Sequence, residues 1–209
     1  MSVAIWTATC IGIDIPCYIT QHCSSIQTLT LSCGSRNIVG SAANDILKVY
    51  HENNNLTQLI IQHAGLQNGG HLVVAATLRY CTKLEYIKLS CDINDEHVLP
   101  MVEALRGHSS LVEFNLGRNR IGNVGCDALA TLLRDPNNNV QYLDLSFNQI
   151  GDDGAIAIAN SLANNSKLRV LYLHQNPFKV GVSNAYMRSL CDTSSLNSTY
   201  SSNHTLYHL

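Results

Sequence analysis

The stretch VQYLDLSFNQIGDDGAIAIANSLANNSKLRVLYLHQNPF, residues 140–178, holds one complete structural unit and the beginning of a second. Val140, Leu143, Leu145, Asn148 and Ile150 recur 28 residues later as Leu168, Leu171, Leu173, Asn176 and Phe178. Alternation in YLDLS predicts a short strand with Leu143 and Leu145 on one side and Tyr142, Asp144 and Ser146 on the other. Asn148 closes that strand, where its side chain can bond backbone groups that a tight bend leaves without a neighbouring strand. A column of such residues would stack from unit to unit. Gly151 lets the chain turn, and Asp152 or Asp153 is placed to cap a helix. AIAIANSLAN then runs with Ile158 and Leu162 one turn apart on the inner face. Gly154 and the alanines keep that helix close to the sheet.

Working outward, units start at Ile26, Leu56, Leu84, Leu111, Val140, Leu168 and Leu196, with spacings of 30, 28, 27, 29, 28 and 28. The pattern is LxxLxLxxNxI, and it resembles leucine-rich repeats of the ribonuclease-inhibitor type, in which each repeat supplies a strand, a loop and a true helix. It is clearest in LVEFNLGRNRIGNVGCDALATLL, residues 111–133, and in the repeat that follows. The expected Asn is replaced by Ala64, by Asp92 and by His204 beside Asn203. The resemblance implies an α/β fold, a right-handed solenoid or horseshoe arc with a parallel inner sheet and outer helices. Residues 26–209 are expected to form about six full repeats plus a terminal strand, and residues 1–25 an N-terminal cap or degenerate repeat.

Composition narrows the function. Charged residues are 13%, the formal net charge is -2 and the pI is near 6.5. A nucleic-acid or acidic-membrane surface calls for clustered Lys and Arg, so neither partner is expected. No apolar run approaches the roughly 18 to 20 residues that span a bilayer, and Asp14 and Pro16 interrupt the apolar start. A soluble, cytoplasmic chain without a secretory signal is expected. Of the eight cysteines, Cys33 and Cys91 occupy the same position after their strands and Cys126 sits on a repeat helix, as reduced, partly buried thiols would. Sequons at Asn55, Asn164, Asn197 and Asn203 carry little weight, because about three arise by chance at this composition.

Local departures make sharper expectations. The repeat from Ile26 has a longer loop and a helix that would bury Ile46 and Tyr50, and the repeat from Leu56 places Val74 and Leu78 on its inner helix face. Pro100 falls where the helix of the Leu84 repeat should already have begun, so that helix is expected to start late or kink. Tyr186 and Leu190 take the buried helix positions of the repeat from Leu168. After Leu196 only a strand remains, with no polar cap, which suggests a piece of a longer protein or an end covered by a partner.

Outward strand positions should form columns across the sheet. One reads Thr28, Gln58, Tyr86, Glu113, Tyr142, Val170, Ser198, and the next Thr30, Ile60, Lys88, Asn115, Asp144, Tyr172, Tyr200. Tyr142, Tyr172 and Tyr200 then lie on a diagonal, with Asp144 and His174 beside them. Tyrosine contributes a large contact area and a polar tip at low entropic cost, so the candidate partner-binding residues are Tyr86, Lys88, Tyr142, Asp144, Tyr172, His174 and Tyr200. Half-exposed strands also favour aromatics without any partner. Arg118 and Arg120 read as solvated residues around the Asn bend.

Catalytic and metal motifs do not emerge. The nine histidines are scattered, and only His204 with His208 has helical i, i+4 spacing, in a segment expected to be strand and tail. There is no GxSxG, no phosphate-binding Gly-Lys loop and no CxxC pair. No cofactor and no metal are expected. The reading is a non-enzymatic protein-protein interaction module presenting a concave face to a protein partner, as a monomer or as part of a larger chain. The same resemblance implies two alternatives. GTPase-activating proteins for the nuclear-transport GTPase Ran share this repeat type and place an arginine in a loop after an early strand, where Arg36 of SCGSRN stands here. Repeats of this type also form the sensor segment of nucleotide-binding immune receptors.

Overall fold

The computed structural model describes residues 27–32, 55–62 and 69–179. Strand β1 (Thr28–Ser32) is followed by β2 (Gln58–Gln62) and helix α1 (Gly70–Tyr80). Then come β3 (Tyr86–Ser90), α2 (Asp95–Leu105), β4 (Glu113–Asn115), α3 (Asn123–Arg134), β5 (Tyr142–Asp144), α4 (Asp152–Leu162) and β6 (Val170–Tyr172). The six strands form one parallel sheet in sequence order, so each repeat lies beside the next and nowhere else. A helix is about 10 Å wide and strands stand about 4.8 Å apart. Pairing one helix with each of the strands β2 to β5 therefore bends the stack, with strands inside the curve and helices outside.

The predicted inward positions form the core. Leu59, Ile61, Ile87, Leu89, Phe114, Leu116, Leu143, Leu145 and Leu171 are buried on the strand side. Val74, Leu78, Met101, Leu105, Leu129, Leu133, Ile158 and Leu162 meet them from the helices. Cys81, Cys91 and Cys126 are thiols buried in the same core. Burial pushes the Cys81 thiol up to about 11, and burial with Asp92 or Asp95 nearby pushes Cys91 and Cys126 up to about 12. These thiols act as small core side chains and not as nucleophiles.

An asparagine ladder holds the strand ends. Asn119 accepts from the amides of Cys91 (3.2 Å) and Ile93 (3.0 Å) of the preceding repeat and donates to Leu89 O (2.7 Å) and to its own Leu116 O (2.9 Å). Asn148 accepts from Ile121 N (2.9 Å) and donates to Leu116 O (2.9 Å) and Leu145 O (3.1 Å). Asn176 accepts from Ile150 N (3.1 Å) and donates to Leu145 O and Leu173 O, both at 2.9 Å. Each side chain thus satisfies backbone groups of two repeats at once, which an amide can do because it carries a donor and an acceptor. Asp92, in the ladder position of the Leu84 repeat, does not join. Its loop is one residue shorter, its φ is 59°, and its carboxylate turns outward to Arg120 at 3.2 Å.

Two expectations about helix starts are corrected. Neither Asp152 nor Asp153 caps α4: the N-cap is Gly151, without a side-chain bond, and both acids lie in the first turn. The capping group comes from the preceding repeat, since Asn123 Oδ1 accepts from Gly151 N (2.9 Å) and Gly154 N (3.1 Å). Asp95 likewise accepts from Gly122 N (2.6 Å), and Asp152 from Lys179 N (2.7 Å). Pro100 does not delay α2, which begins at Asp95 and runs through it. A reciprocal cap fixes that start: Asn94 Oδ1 accepts from His97 N (3.2 Å), and His97 Nδ1 accepts from Asn94 N (3.3 Å). Pro100 removes only the N–H that would reach the carbonyl of Glu96, an exposed residue that solvent can serve.

The cross-repeat caps explain the spacing of small residues. A Cβ on Gly154 would stand 2.7 Å from Asn123 Oδ1 and 2.9 Å from Asn123 Cα, so α4 could not approach α3 as it does. His108, three residues past the end of α2, donates from Nε2 to Cys81 O at 3.1 Å, while its buried Nδ1 has no partner. Asn165 stands three residues past α4 and donates to Leu133 O at 2.7 Å.

Three outcomes follow. Asn148→Ala strands Ile121 N and leaves Leu116 O and Leu145 O with one side-chain donor each in place of two, and should lower the unfolding free energy by roughly 2–4 kcal/mol in a denaturant titration, against under about 1 kcal/mol for exposed Asn137→Ala. Gly154→Ala, which in an open helix would gain about 1 kcal/mol, should instead destabilise. Burial holds the His108 pKa below its ordinary value, outweighing the bond to Cys81 O. The unfolded chain therefore takes up that proton first as pH falls, and stability is lost from the ordinary histidine range near 6.5 downward. Melting curves between pH 7 and pH 5 should show a smaller drop for His108→Asn than for the wild-type chain.

Candidate functional site

The strand register places the outward side chains in the columns expected. Gln58, Tyr86, Glu113, Tyr142 and Val170 are successive partners, as are Ile60, Lys88, Asn115, Asp144 and Tyr172. Tyr142 and Tyr172 stand on adjacent strands one outward position apart, so their diagonal exists; Tyr200 and Arg36 lie outside the described residues. Val170, outward in register, is buried.

The second column is a hydrogen-bonded floor. Asp144 Oδ2 accepts from Asn115 Nδ2 (3.0 Å), while Oδ1 accepts from Ser146 N (2.9 Å) and Ser146 Oγ (2.6 Å). Asn115 Oδ1 accepts from Gly117 N (3.1 Å), and Ser90 Oγ donates to Gly117 O (3.0 Å). The floor needs Gly117, because a Cβ there would sit 3.0 Å from Asp144 Oδ2.

Above this floor runs a ridge of stacked groups. The Arg118 guanidinium lies 4.4 Å over the Phe147 ring, Phe147 meets His174 edge-on at 5.4 Å, and His174 meets Tyr172 edge-on at 6.1 Å. Floor and ridge enclose a groove of about 280 Å³, bordered also by Lys88. A larger cleft of about 570 Å³ lies between the loops at 133–136 and 163–167 and involves none of these residues.

Of the predicted residues, the groove collects Lys88, Asp144, Tyr172 and His174. Tyr86 and Tyr142 do not line it; they stand in the first column on either side of Glu113. Phe147 and Arg118 were not among the expected residues, and Arg118 is not merely solvated: it packs over Phe147. Their signal was in the repeat alignment. Arg118, Phe147 and Gln175 each follow their strand by the same interval and take φ of 62°, 55° and 59°. That left-handed bend swings the side chain of the residue before each ladder Asn out over the strand face. Arg120 pairs with Asp92 instead. Among the described residues no group of three or more His, Cys, Asp or Glu is arranged to hold a metal ion, and no helix is long and apolar enough to cross a membrane.

The Leucine Rich repeat family model matches residues 107–130 and 137–159, the segments that hold Asn119 and Asn148 of the ladder. The chain is a leucine-rich-repeat protein of the ribonuclease-inhibitor-like type. It is 28% identical over 168 residues to mouse (Mus musculus) NACHT, LRR and PYD domains-containing protein 5, covering 80% of this chain and 14% of that protein. Against the pig (Sus scrofa) ribonuclease inhibitor it is 30% identical over 94 residues, covering 44% of this chain and 21% of the inhibitor. Among solved structures it is similar to Leiomodin-1 Actin-Binding Site 2, with a TM-score of 0.49, 16% identity, and coverage of 86% of this chain and 90% of that one. This leucine-rich-repeat chain thus spans a small part of the length of the curated relatives it matches.

Proposed function

We propose that this chain is a non-enzymatic protein-protein interaction module whose strand face binds a protein partner. The anchor is the ridge of Phe147, His174 and Tyr172 with Arg118 stacked upon it, and Tyr86, Lys88, Tyr142 and Asp144 flank it. Tyr200 extends the tyrosine diagonal by one more repeat in this reading.

The observation that carries the proposal is Phe147. It is 39% exposed in a left-handed backbone conformation that costs a bulky L-residue about 1 kcal/mol or more. The fold requires the bend, since Arg118 and Gln175 make it too. It does not require a phenyl ring there, so a strained and solvent-facing aromatic points to use of the face. Arg118 and His174 hold the ring in place before any partner arrives, which lowers the ordering cost of association.

The mechanism is rigid presentation. Strand and helix positions that make the core are repeated, and outward positions are left free to vary, so specificity lies in the columns and the ridge. Residues 26–209 act in this reading as one solenoid, with residues 1–25 as its cap or a degenerate repeat, in the cytoplasm, where buried thiols stay reduced. The similarity over 80% of the chain to a protein named for NACHT, LRR and PYD domains supports a second, compatible reading: repeats of this kind serve as the recognition segment of a larger receptor-like chain.

The test is affinity capture from cells expressing the chain, with the wild type and Phe147→Ala/Tyr172→Ala/His174→Ala compared at matched helical content. Truncating a clustered aromatic anchor should weaken a true partner at least about tenfold. Full retention of every captured protein by the triple variant would sink the proposal.

A further inference from the structure

The first outward column holds a second feature, apart from the groove. Glu113 is the register partner of Tyr86 on one side and Tyr142 on the other, so a single carboxylate stands between two aromatic side chains on adjacent strands. With strands about 4.8 Å apart, the two tyrosines leave the backbone roughly 10 Å from each other, with Glu113 midway between them. Tyrosine is longer than glutamate. In the slot that this register defines, the carboxylate is flanked by one tyrosine on each side.

The electrostatics of the slot favour a positive occupant. Burial raises the Glu113 pKa, with Lys88 drawing it down and Asp144 raising it again. Burial raises the Tyr86 pKa as well, with Glu113 and Asp144 adding to the effect. Asp144 has its oxygens engaged by Asn115 and Ser146. Among the described residues no side-chain hydrogen bond or ion pair engages the Glu113 carboxylate, the ion pairs there being Arg106–Glu103 and Arg120–Asp92.

We propose that Tyr86, Glu113 and Tyr142 form a subsite for one cationic side chain, arginine in the first place and lysine in the second, of the protein that the strand face binds. The inference rests on the protein-binding reading above and adds the chemistry of one contact. A guanidinium entering the slot gains attraction from two ring faces and a charge-assisted hydrogen bond to the carboxylate. Arginine fits better than lysine because its plane stacks between rings while its edge meets the carboxylate. An apolar side chain would also find ring walls, but it would bury Glu113 without a partner, which opposes binding. Lys88, one outward position along from Tyr86, sets a limit: a second cation close to it is disfavoured, so the slot admits one charge.

The test uses a random peptide library panned on the immobilised full chain, with every selected peptide re-measured on the Phe147→Ala/Tyr172→Ala/His174→Ala, Glu113→Gln and Tyr142→Leu variants. Selected peptides that depend on the strand face should share one basic position. Replacing that residue by norleucine should weaken wild-type binding about tenfold or more, and Glu113→Gln should cost the basic peptide that factor while leaving the norleucine peptide unchanged. Tyr142→Leu, which keeps apolar area and removes the ring, should penalise the basic peptide in the same way. Face-dependent peptides without a basic position, or equal penalties for the basic and norleucine forms, would overturn the subsite and leave the protein-binding reading standing. A selection yielding no face-dependent peptide would overturn both.

Discussion

The structure depends on one recurring constraint: a strand that ends in a tight bend leaves backbone amides and carbonyls facing inward with no strand to meet them. A buried side chain carrying both a donor and an acceptor removes that cost, and asparagine is short enough to do it without filling the core. Asn119, Asn148 and Asn176 each serve their own repeat and the one before. Because the bond crosses the repeat boundary, the bend of one unit is completed only by the arrival of the next. Stability in such a chain is approximately a sum of terms within repeats and between neighbouring ones.

The same logic governs the helix side. Gly122 and Gly151 offer no capping side chain of their own, and the polar groups come from Asp95 and Asn123 one repeat earlier. A glycine three residues further on, Gly125 or Gly154, leaves room for that donated group. Where the ladder is interrupted, the chain finds local substitutes. The Leu84 repeat lacks its asparagine, shortens its loop by one residue and caps its own helix through Asn94 and His97, while Asn119 reaches back to hold Cys91 and Ile93. Its helix can therefore carry Pro100, which a helix held only by its neighbour would tolerate less well.

Much of this was legible from residue order. The period placed Leu143, Leu145, Ile158 and Leu162 in the core, named Asn148 as the strand-closing residue and put Tyr86, Glu113 and Tyr142 in one column. Periodicity reports which side of an element a residue occupies, and it does so well when each repeat packs on its own copy. It does not report which repeat supplies a hydrogen bond. Asp152 looked like a cap for its own helix because capping is ordinarily local. It serves the amide of Lys179 instead, and nothing within one repeat announces that. Phe147 was missed for a related reason. In SFNQ it reads as a turn residue, and only the left-handed φ shared with Arg118 and Gln175 shows the turn aiming it over the sheet.

The solenoid therefore separates its residues by what constrains them. Leu, Ile and Asn at the inward and ladder positions answer to neighbouring repeats, and a change there alters stability before it alters recognition. Outward positions answer less to the fold, Asn115 and Asp144 of the bonded floor apart, so unusual chemistry at such a position carries information about use. Two places meet that standard from opposite directions. At Phe147 an aromatic residue accepts backbone strain and exposure where glycine or asparagine would rest more easily. At Glu113 a carboxylate gives up solvent between two tyrosines while its neighbour Asp144 keeps a full set of donors. Apolar anchoring at one end of the strands and an under-solvated charge at the other make the face directional. A partner segment crossing the sheet would meet the ridge first by area and the slot by charge, and reversing the segment would set its cation beside Arg118, where like charges oppose it.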